Sequence, residues 1–256
     1  MGKKAIGIDI GGTGIKGAVV NLKSGELVGD RVRMETPAGG SPKDIAATVA
    51  QIIGALPEMK DSYEVGICFP AVVQHGITKS AANVSKDWIG LNADSLFTKT
   101  LGRSVHVIND ADAAGEAEIK FGAGKNVNGL VFMSTLGTGI GTALFVDGVL
   151  VPNAELGHLE IEGVDYETKA SFIAKERENL TWDQWAERLQ KYYSMVEKLF
   201  SPDLIIVGGG VSKEHENFLP KLKLNAKIVP AQKRNNAGIL GAAALAHKNR
   251  PGKESK

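Results

Sequence analysis

An aspartate that follows a short apolar run is the residue best placed in this sequence to do chemistry. Ser104 to Ile108 is predicted to form a buried strand, Asn109-Asp110-Ala111-Asp112 follows it, and a helix is predicted over Ala113 to Phe121. A carboxylate at the carboxyl end of such a strand faces the crevice in which α/β sheets bind ligands. Asp110 could there accept a proton from an attacking hydroxyl; the alternative is that Asp110 or Asp112 only caps the helix.

A glycine-rich segment near the N-terminus, Asp9 to Lys16, reads DIGGTGIK and carries groups that bind phosphate. Its glycines let backbone amides approach an anion, its threonine adds a hydroxyl and its lysine a point charge, and Asp9 can hold Mg²⁺ or its waters. A plain hairpin is the alternative. The predicted phosphate-binding residues here are Asp9, Gly11, Gly12, Thr13, Gly14 and Lys16.

The same pattern occurs a second time. Gly12 to Val20 reads GTGIKGAVV and Gly137 to Phe145 reads GTGIGTALF, about 125 residues further along a chain of 256. Each copy predicts strand, glycine turn and strand, so two related halves are expected. No acid or lysine accompanies the second copy, which leaves a plain hairpin open there too. Its predicted phosphate-binding residues are Thr135, Gly137, Thr138 and Gly139.

Two further motifs are ambiguous on residues alone. Glu155 and His158 lie three positions apart and could converge on a polyol, or belong to a solvated loop; one histidine and one carboxylate are too few for a metal site. Gly208, Gly209 and Gly210 end a predicted strand. They could bring the backbone close to a nucleotide, or simply form a tight strand-to-helix turn.

Composition excludes several classes of protein. A hydrophobic fraction of 43% is enough for a sizeable core, and a net charge of +1 gives no electrostatic reason for nucleic-acid or membrane binding. Cys68 is the only cysteine, so it predicts a buried core thiol and no disulfide. No apolar run reaches the ~20 residues that span a bilayer, and a cytoplasmic protein is expected. Gly12, Gly14 and Gly17 match a dinucleotide fingerprint, but β-branched residues follow where that fold needs a helix.

Strands and helices alternate around these motifs. Ser41 with Pro42 predicts a helix start, and a long polar loop runs from Asn83 to Trp88. The other predicted elements are a strand over Tyr63 to Phe69, helices over Ala93 to Leu101, Glu167 to Glu178 and Thr181 to Phe200, a strand over Leu204 to Val207 and a last helix over Ala237 to Lys248.

Taken in order, these motifs resemble the ROK group of sugar kinases in the actin and hexokinase superfamily. The strings NDADAAG, LGTGIGTALFVDG, NAELGHLEI and LFSPDLIIVGGGVS are similar, more narrowly, to bacterial polyphosphate glucokinases, including polyphosphate/ATP glucomannokinases. The resemblance extends from about Ile6 to Ala244.

The resemblance implies roles for individual residues. Asp110 would be the general base. The implied sugar-binding residues are Asn83, Asn109, Asp110, Glu155, His158 and Glu167. The family's cysteine-rich zinc loop is missing between His158 and Glu167, so no structural zinc is expected.

The resemblance also implies the architecture and the reaction. It implies two ribonuclease-H-like α/β domains with a cleft between them, residues 1–110 joined by the C-terminal helix 237–250, and residues 111–236. The expected activity is phosphorylation of the 6-hydroxyl of glucose, or of mannose, by a homodimer that uses Mg²⁺ with polyphosphate as main donor and ATP as second. Lys16, Lys86, Lys213, Lys233 and Arg234 are candidates for a cationic track.

Three alternatives remain at this level. A strictly ATP-dependent ROK glucokinase would use Gly208 to Gly210 for the nucleotide. A sugar-responsive regulator would need a DNA-binding module before the first strand, which is predicted to begin by residue 4. An NAD-dependent dehydrogenase would need the helix that the first glycine turn lacks.

Overall fold

A computed structural model describes residues 3–81 and 84–249 of this chain. The chain forms two compact units. The first unit runs to Ala117 and resumes at Asn236, and the second is Glu118–Asn235. Within the described ranges, no helix is both long and apolar enough to cross a membrane.

The elements alternate along the chain. The strands are β1 (Lys4–Ile10), β2 (Ile15–Asn21), β3 (Glu26–Met34), β4 (Val65–Phe69), β5 (Val73–Gln74), β6 (Ile77–Thr78), β7 (Val105–Asn109), β8 (Leu130–Leu136), β9 (Ile140–Val146), β10 (Val149–Val151), β11 (Glu160–Ile161), β12 (Val164–Asp165), β13 (Leu204–Gly208) and β14 (Lys227–Pro230). The α-helices are α1 (Pro42–Ala55), α2 (Ala93–Leu101), α3 (Asp110–Phe121), α4 (Glu167–Ala170), α5 (Phe172–Arg177), α6 (Trp182–Phe200) and α7 (Ala237–Lys248). Short 3₁₀ turns cover Lys86–Trp88, Leu156–His158, Gly210–Asn217, Leu219–Lys221 and Arg234–Asn236.

The first unit is built on a five-stranded sheet with the order β3-β2-β1-β4-β7. Strands β1, β4 and β7 are parallel, and β2 and β3 continue the sheet as antiparallel neighbours. Ile8 packs with Ile52 of α1 on one face, while Gly7 lies against Ile239 of α7 on the other, because successive strand residues point to opposite faces. Helix α7 comes so close that a Cβ at Gly66 would overlap the carbonyl oxygen of Ala242.

The second unit repeats this plan with the strand order β10-β9-β8-β13-β14. Strands β8, β13 and β14 are parallel, and β8 pairs antiparallel with β9. Helix α6 supplies much of the core through fully buried side chains. A capping box between Thr181 and Gln184 fixes where α6 begins. Those buried side chains of α6 are Trp185, Leu189, Tyr192, Tyr193 and Val196.

Most predicted elements are confirmed, and two need correction. Helix α1 begins as predicted, with the Ser41 side chain accepting a hydrogen bond from the backbone N–H of Asp44. Helix α3 begins at Asp110 rather than Ala113. The predicted helix over Glu167 to Glu178 is two short helices, α4 and α5, because Ser171 has an extended backbone (φ −60°, ψ 157°) that interrupts it.

Candidate functional site

Three parallel strands of the first sheet bring the candidate catalytic residues to one edge. Asp9 at the end of β1 pairs in register with Cys68 of β4, and Phe69 of β4 pairs with Asn109 of β7. Asp110 follows directly as the first residue of α3. Since the carboxyl ends of parallel strands meet at the same edge, Asp9, Asn109 and Asp110 lie together there.

The first turn of α3 is capped by Asn109. Its Oδ1 accepts hydrogen bonds from the backbone N–H groups of Ala111 (2.8 Å) and Asp112 (3.1 Å), and its Nδ2 donates to the carbonyl oxygen of Ala71 (3.1 Å). The sequence offered Asp110 or Asp112 for this cap; in the structure Asn109, one residue before the helix, accepts from both amides. Asp110, whose Oδ1 accepts from Ala111 N–H at 2.9 Å, is exposed. The predicted sugar and base roles of this pair stay predictions.

Asp9 is held by one cation, one thiol and one glycine. Lys16 Nζ lies 3.6 Å from Asp9 Oδ2, and the Cys68 thiol donates to Oδ1 at 3.5 Å. Burial, then the nearby Asp9 and Asp110 carboxylates, raises the pKa of Cys68 well above its usual value, so the thiol stays protonated and can donate. Gly238 at the start of α7 lies over this pair, since a Cβ there would be 2.9 Å from the Asp9 carboxyl carbon.

Asp9 is a suitable residue for Mg²⁺. That ion is usually held by one or two carboxylates together with water and substrate phosphate oxygens, rather than by a full set of protein ligands. Within residues 3–81 and 84–249, no group of three or more His, Cys, Asp or Glu side chains could hold a metal ion. A single partly exposed carboxylate at a strand end fits the magnesium mode of binding.

The first glycine turn is closed by its own backbone and by residues that the sequence reading missed. Gly11 N–H donates to Gly14 O at 3.1 Å, and the Thr36 hydroxyl donates to Gly11 O at 2.5 Å. Arg33 donates to Thr13 O at 3.3 Å and lies over Gly14, where a Cβ would be 2.8 Å from its guanidinium. The only sequence signal for Arg33 is its register opposite Lys16 across β2 and β3, which requires knowing the strand pairing. Gly12 and Thr13 are exposed.

The second glycine turn has a carboxylate beside it. Gly137 N–H donates to Gly139 O at 3.0 Å, and Glu167 Oε2 accepts from Ile140 N–H at 2.7 Å. A Cβ at Gly139 would overlap that carboxylate. The sequence places no acidic residue next to this turn, and the structure supplies one, Glu167, from α4. Thr138 is exposed at the tip of the turn. Thr135 donates within the sheet to Gly141 O at 3.4 Å.

Two buried residues position the turn that carries Glu155 and His158. The Thr142 hydroxyl on β9 donates to the Ala154 carbonyl oxygen and accepts from Leu156 N–H at 2.9 Å. Tyr192 of α6 donates its hydroxyl to Leu156 O at 3.1 Å. Neither Thr142 nor Tyr192 was singled out from the sequence, because a buried polar residue on a strand or helix is indistinguishable from a core residue without its partners.

The pKa values of Glu155 and His158 each respond to the charge of the other residue and to that of Glu167, so the three side chains lie in one cluster. His158 Nδ1 is 2.9 Å from Asp165 Oδ2, and this hydrogen bond is the main reason why the pKa of His158 is raised, although partial burial opposes it. Desolvation raises the pKa of Glu155, with His158 lowering it and Glu167 raising it further. Asp165 is a member of the cluster that sequence reasoning missed. The arrangement offers donors and acceptors for a hydroxyl-rich ligand.

The triple glycine follows β13. Gly209 has a positive φ of 85°, and a Cβ there would overlap the carbonyl oxygen of Leu136 at the end of β8. The tight turn is therefore enough to explain this glycine, without any bound nucleotide. Gly208 is buried at the end of β13, whereas Gly210 is exposed, and a Cβ on Gly210 would meet no atom within 4 Å. The nucleotide role of these glycines stays a prediction. Asn83 lies outside the described residues.

Comparisons with known proteins identify the family. The ROK family model matches residues 5–175. A polyphosphate glucokinase of Mycobacterium tuberculosis is 43% identical over 242 residues, covering 94% of this chain and 90% of the relative. The crystal structure of inorganic polyphosphate/ATP-glucomannokinase from Arthrobacter sp. strain KM is 54% identical, with a TM-score of 0.91 over 97% of this chain and 100% of that one.

A ROK family glucokinase from Streptomyces griseus, solved with glucose and AMPPNP, is 25% identical with a TM-score of 0.81 over 96% of this chain and 100% of that one. These matches confirm the predicted resemblance and the predicted α/β fold of the actin and hexokinase type. The chain belongs to the ROK family.

Proposed function

We propose that this chain transfers the terminal phosphoryl group of inorganic polyphosphate to the 6-hydroxyl of glucose, with ATP as a second donor. The observation that carries the proposal is the 43% identity, over 94% of the chain, to a relative named polyphosphate glucokinase. The glucomannokinase structure at 54% identity supports the same donor. The sites in the two units supply groups that suit this reaction.

Asp110 is the proposed general base. Phosphoryl transfer passes through a loose, in-line transition state, so the enzyme mainly positions the reactants and stabilises charge. Asp110 accepts the proton of the sugar hydroxyl as its oxygen attacks the phosphorus. Asn109 accepts two hydrogen bonds from the first turn of α3 and donates one to Ala71 O, and thereby fixes the backbone that carries Asp110.

The first glycine turn is the proposed grip on the donor. Its exposed Gly12 and Thr13 offer amides and a hydroxyl, and Lys16 offers a positive charge. Asp9 is the residue that would hold Mg²⁺, which when bound neutralises phosphate oxygens. In the second turn the exposed Thr138 is the residue left for phosphate, since Gly137 N–H donates to Gly139 O and Ile140 N–H donates to Glu167.

The cluster in the second unit is the proposed grip on the sugar. Glu155, His158 and Glu167 accept and donate hydrogen bonds to hydroxyl groups, and charged partners make such bonds stronger than neutral ones. Asn83 and Asn109 complete the proposed set by resemblance. Mannose as a second acceptor, a homodimer and action in the cytoplasm are further parts of the proposal that rest on the resemblance, as is the division of roles between residues 1–110 with 237–250 and residues 111–236.

A coupled assay tests the proposal directly. Purified protein is given glucose or mannose with polyphosphate, with ATP or with neither, and glucose 6-phosphate or mannose 6-phosphate is measured. We expect product with polyphosphate and a smaller rate with ATP. Product with ATP alone would replace the proposal by a strictly ATP-dependent glucokinase, and no product with any donor would reject the kinase itself.

A further inference from the structure

Two arginines of β3 stand out among the charged residues that the proposed reaction has not yet used. Arg33 lies directly opposite Lys16 in the antiparallel register of β2 and β3, and Lys16 lies opposite Asp9 across β1 and β2. Residues that are directly opposite in antiparallel strands share a face of the sheet. Asp9, Lys16 and Arg33 therefore form one row beside the first glycine turn.

Arg33 touches the turn itself. Its Nη2 donates to Thr13 O at 3.3 Å, and its guanidinium covers Gly14 closely enough that a Cβ there would be 2.8 Å away. Arg31 is two residues earlier on β3, and its Nη1 donates to Asn236 Oδ1 at 3.1 Å, just before α7. Arg31 lies where the register of β2 and β3 shifts, and it adds a second exposed positive charge on the same strand as Arg33.

Both arginines keep their positive charge unneutralised. Their hydrogen-bond partners are a backbone carbonyl and a side-chain amide oxygen, and within the described part of the chain neither forms an ion pair. Arg103, Arg177 and Arg188, in contrast, each contact a carboxylate at 2.6 to 2.8 Å. Both β3 side chains are also exposed, so they can reach a ligand in solution.

We propose that Arg31 and Arg33 form a subsite for the phosphate groups of the donor that are not transferred. The inference rests on the proposed function, because it assumes a phosphate chain at the first glycine turn. A guanidinium can donate two parallel hydrogen bonds to a phosphate and stays charged at all working pH values. Arg33, which lies on the turn, contacts any donor. Arg31 contacts a chain that continues beyond it, which inorganic polyphosphate does and a nucleoside triphosphate does not.

Donor kinetics of three single variants test the subsite. Arg33→Gln is expected to raise the KM for long-chain polyphosphate about tenfold, and Arg31→Gln by a similar factor, because each removes a charged hydrogen-bond donor. Arg31→Gln should leave the KM for ATP near that of the wild type. The matched control is Lys23→Gln, which removes an exposed charge from the opposite end of the same hairpin and should change neither KM.

A direct titration with polyphosphate, without sugar, separates this inference from the proposed function. Polyanion binding releases counterions, so each lost contact should weaken binding and make its salt dependence shallower. Arg33→Lys, which keeps the charge, should recover part of the affinity. If Arg33 only stabilised the turn, Arg33→Gln would lower the unfolding temperature and Arg33→Lys would not restore binding.

The inference is overturned if Arg31→Gln and Arg33→Gln bind polyphosphate as tightly as Lys23→Gln does. It is also overturned if Arg31→Gln raises the KM for ATP as much as that for polyphosphate. A wild-type protein that binds polyphosphate through these arginines but makes no sugar phosphate would reject the proposed function and leave the subsite standing.

Discussion

The two glycine turns are built alike and surrounded differently. Each joins two antiparallel strands and is closed by a backbone hydrogen bond between glycines. The first has cations beside it, Lys16 and Arg33, whereas the second has the carboxylate of Glu167 bound to Ile140 N–H. A repeated backbone therefore does not imply a repeated ligand. The first turn suits a phosphate chain, whereas at the second turn Glu167 leaves mainly the exposed Thr138 for phosphate.

Asp110→Asn is expected to have the largest effect on activity, because it removes the proposed general base and keeps the size of the side chain. The amide oxygen can still accept from Ala111 N–H, but the side chain can no longer take a proton. The kcat should fall about 10²- to 10⁴-fold, with little change in KM, in the coupled assay. An unchanged unfolding temperature is the control for folding. A kcat near that of the wild type would show that Asp110 is not the general base.

Gly238→Ala should displace Asp9 beside the first glycine turn without replacing any charged residue. The new methyl group would lie 2.9 Å from the Asp9 carboxyl carbon and 3.1 Å from the Cys68 sulfur, so Asp9 must move. A misplaced group of this kind is expected to lower kcat about tenfold. Gly54→Ala in α1 is the matched control, since nothing lies within 4 Å of its new methyl group. Equal kinetics in the two variants would show that the position of Asp9 is unimportant.

Gly139→Ala and Gly137→Ala compare two positions of the second turn. A Cβ at Gly139 would overlap the Glu167 carboxylate and displace it, whereas a Cβ at Gly137 would meet no atom within 4 Å. The loss of one charged hydrogen-bond partner is expected to raise the KM for glucose about three- to tenfold in the first variant only. Steady-state kinetics at saturating donor measure this difference. If both variants had the same KM for glucose, Glu167 would have no role in sugar binding.

Asp165→Asn should produce the smallest effect, a change in the titration of His158. In the wild type the hydrogen bond to Asp165 raises the His158 pKa above its usual value of about 6.5. The stabilisation from this pair is therefore present below about pH 6.5 and is lost as pH rises through the raised pKa. The variant should lower the His158 pKa, as measured by NMR, and flatten that pH dependence. An unchanged His158 titration would mean that Asp165 does not set it.

Local patterns predicted the parts of the site that adjoin each other in sequence. The two glycine turns, the strand end at Asn109 and the start of α1 at Ser41 depend on neighbouring residues and were read correctly. The break at Ser171 was missed: this extended residue follows α4 and is the N-cap of α5, a position that serine favours.

Contacts between distant segments could not be predicted. Arg33 reaches Thr13 over 20 residues, and Glu167 reaches Ile140 over 27, through strand pairing and helix placement that no local pattern encodes. Thr142 holds the Ala154 to Leu156 segment in the same way. The charge that distinguishes the two turns therefore comes largely from residues outside the repeated motif.

The central claim is that the first glycine turn binds the phosphoryl donor and the cluster in the second unit binds the sugar. Titrations of two variants with each of the two ligands test it most directly. Lys16→Gln changes the first glycine turn, and Glu155→Gln changes the cluster of Glu155, His158 and Glu167. Each variant is titrated calorimetrically with polyphosphate and with glucose. We expect Lys16→Gln to weaken polyphosphate binding about tenfold and leave glucose binding unchanged, and Glu155→Gln to do the reverse. If either variant weakened both ligands equally, or if the pattern were inverted, the two regions would not have the separate roles assigned to them.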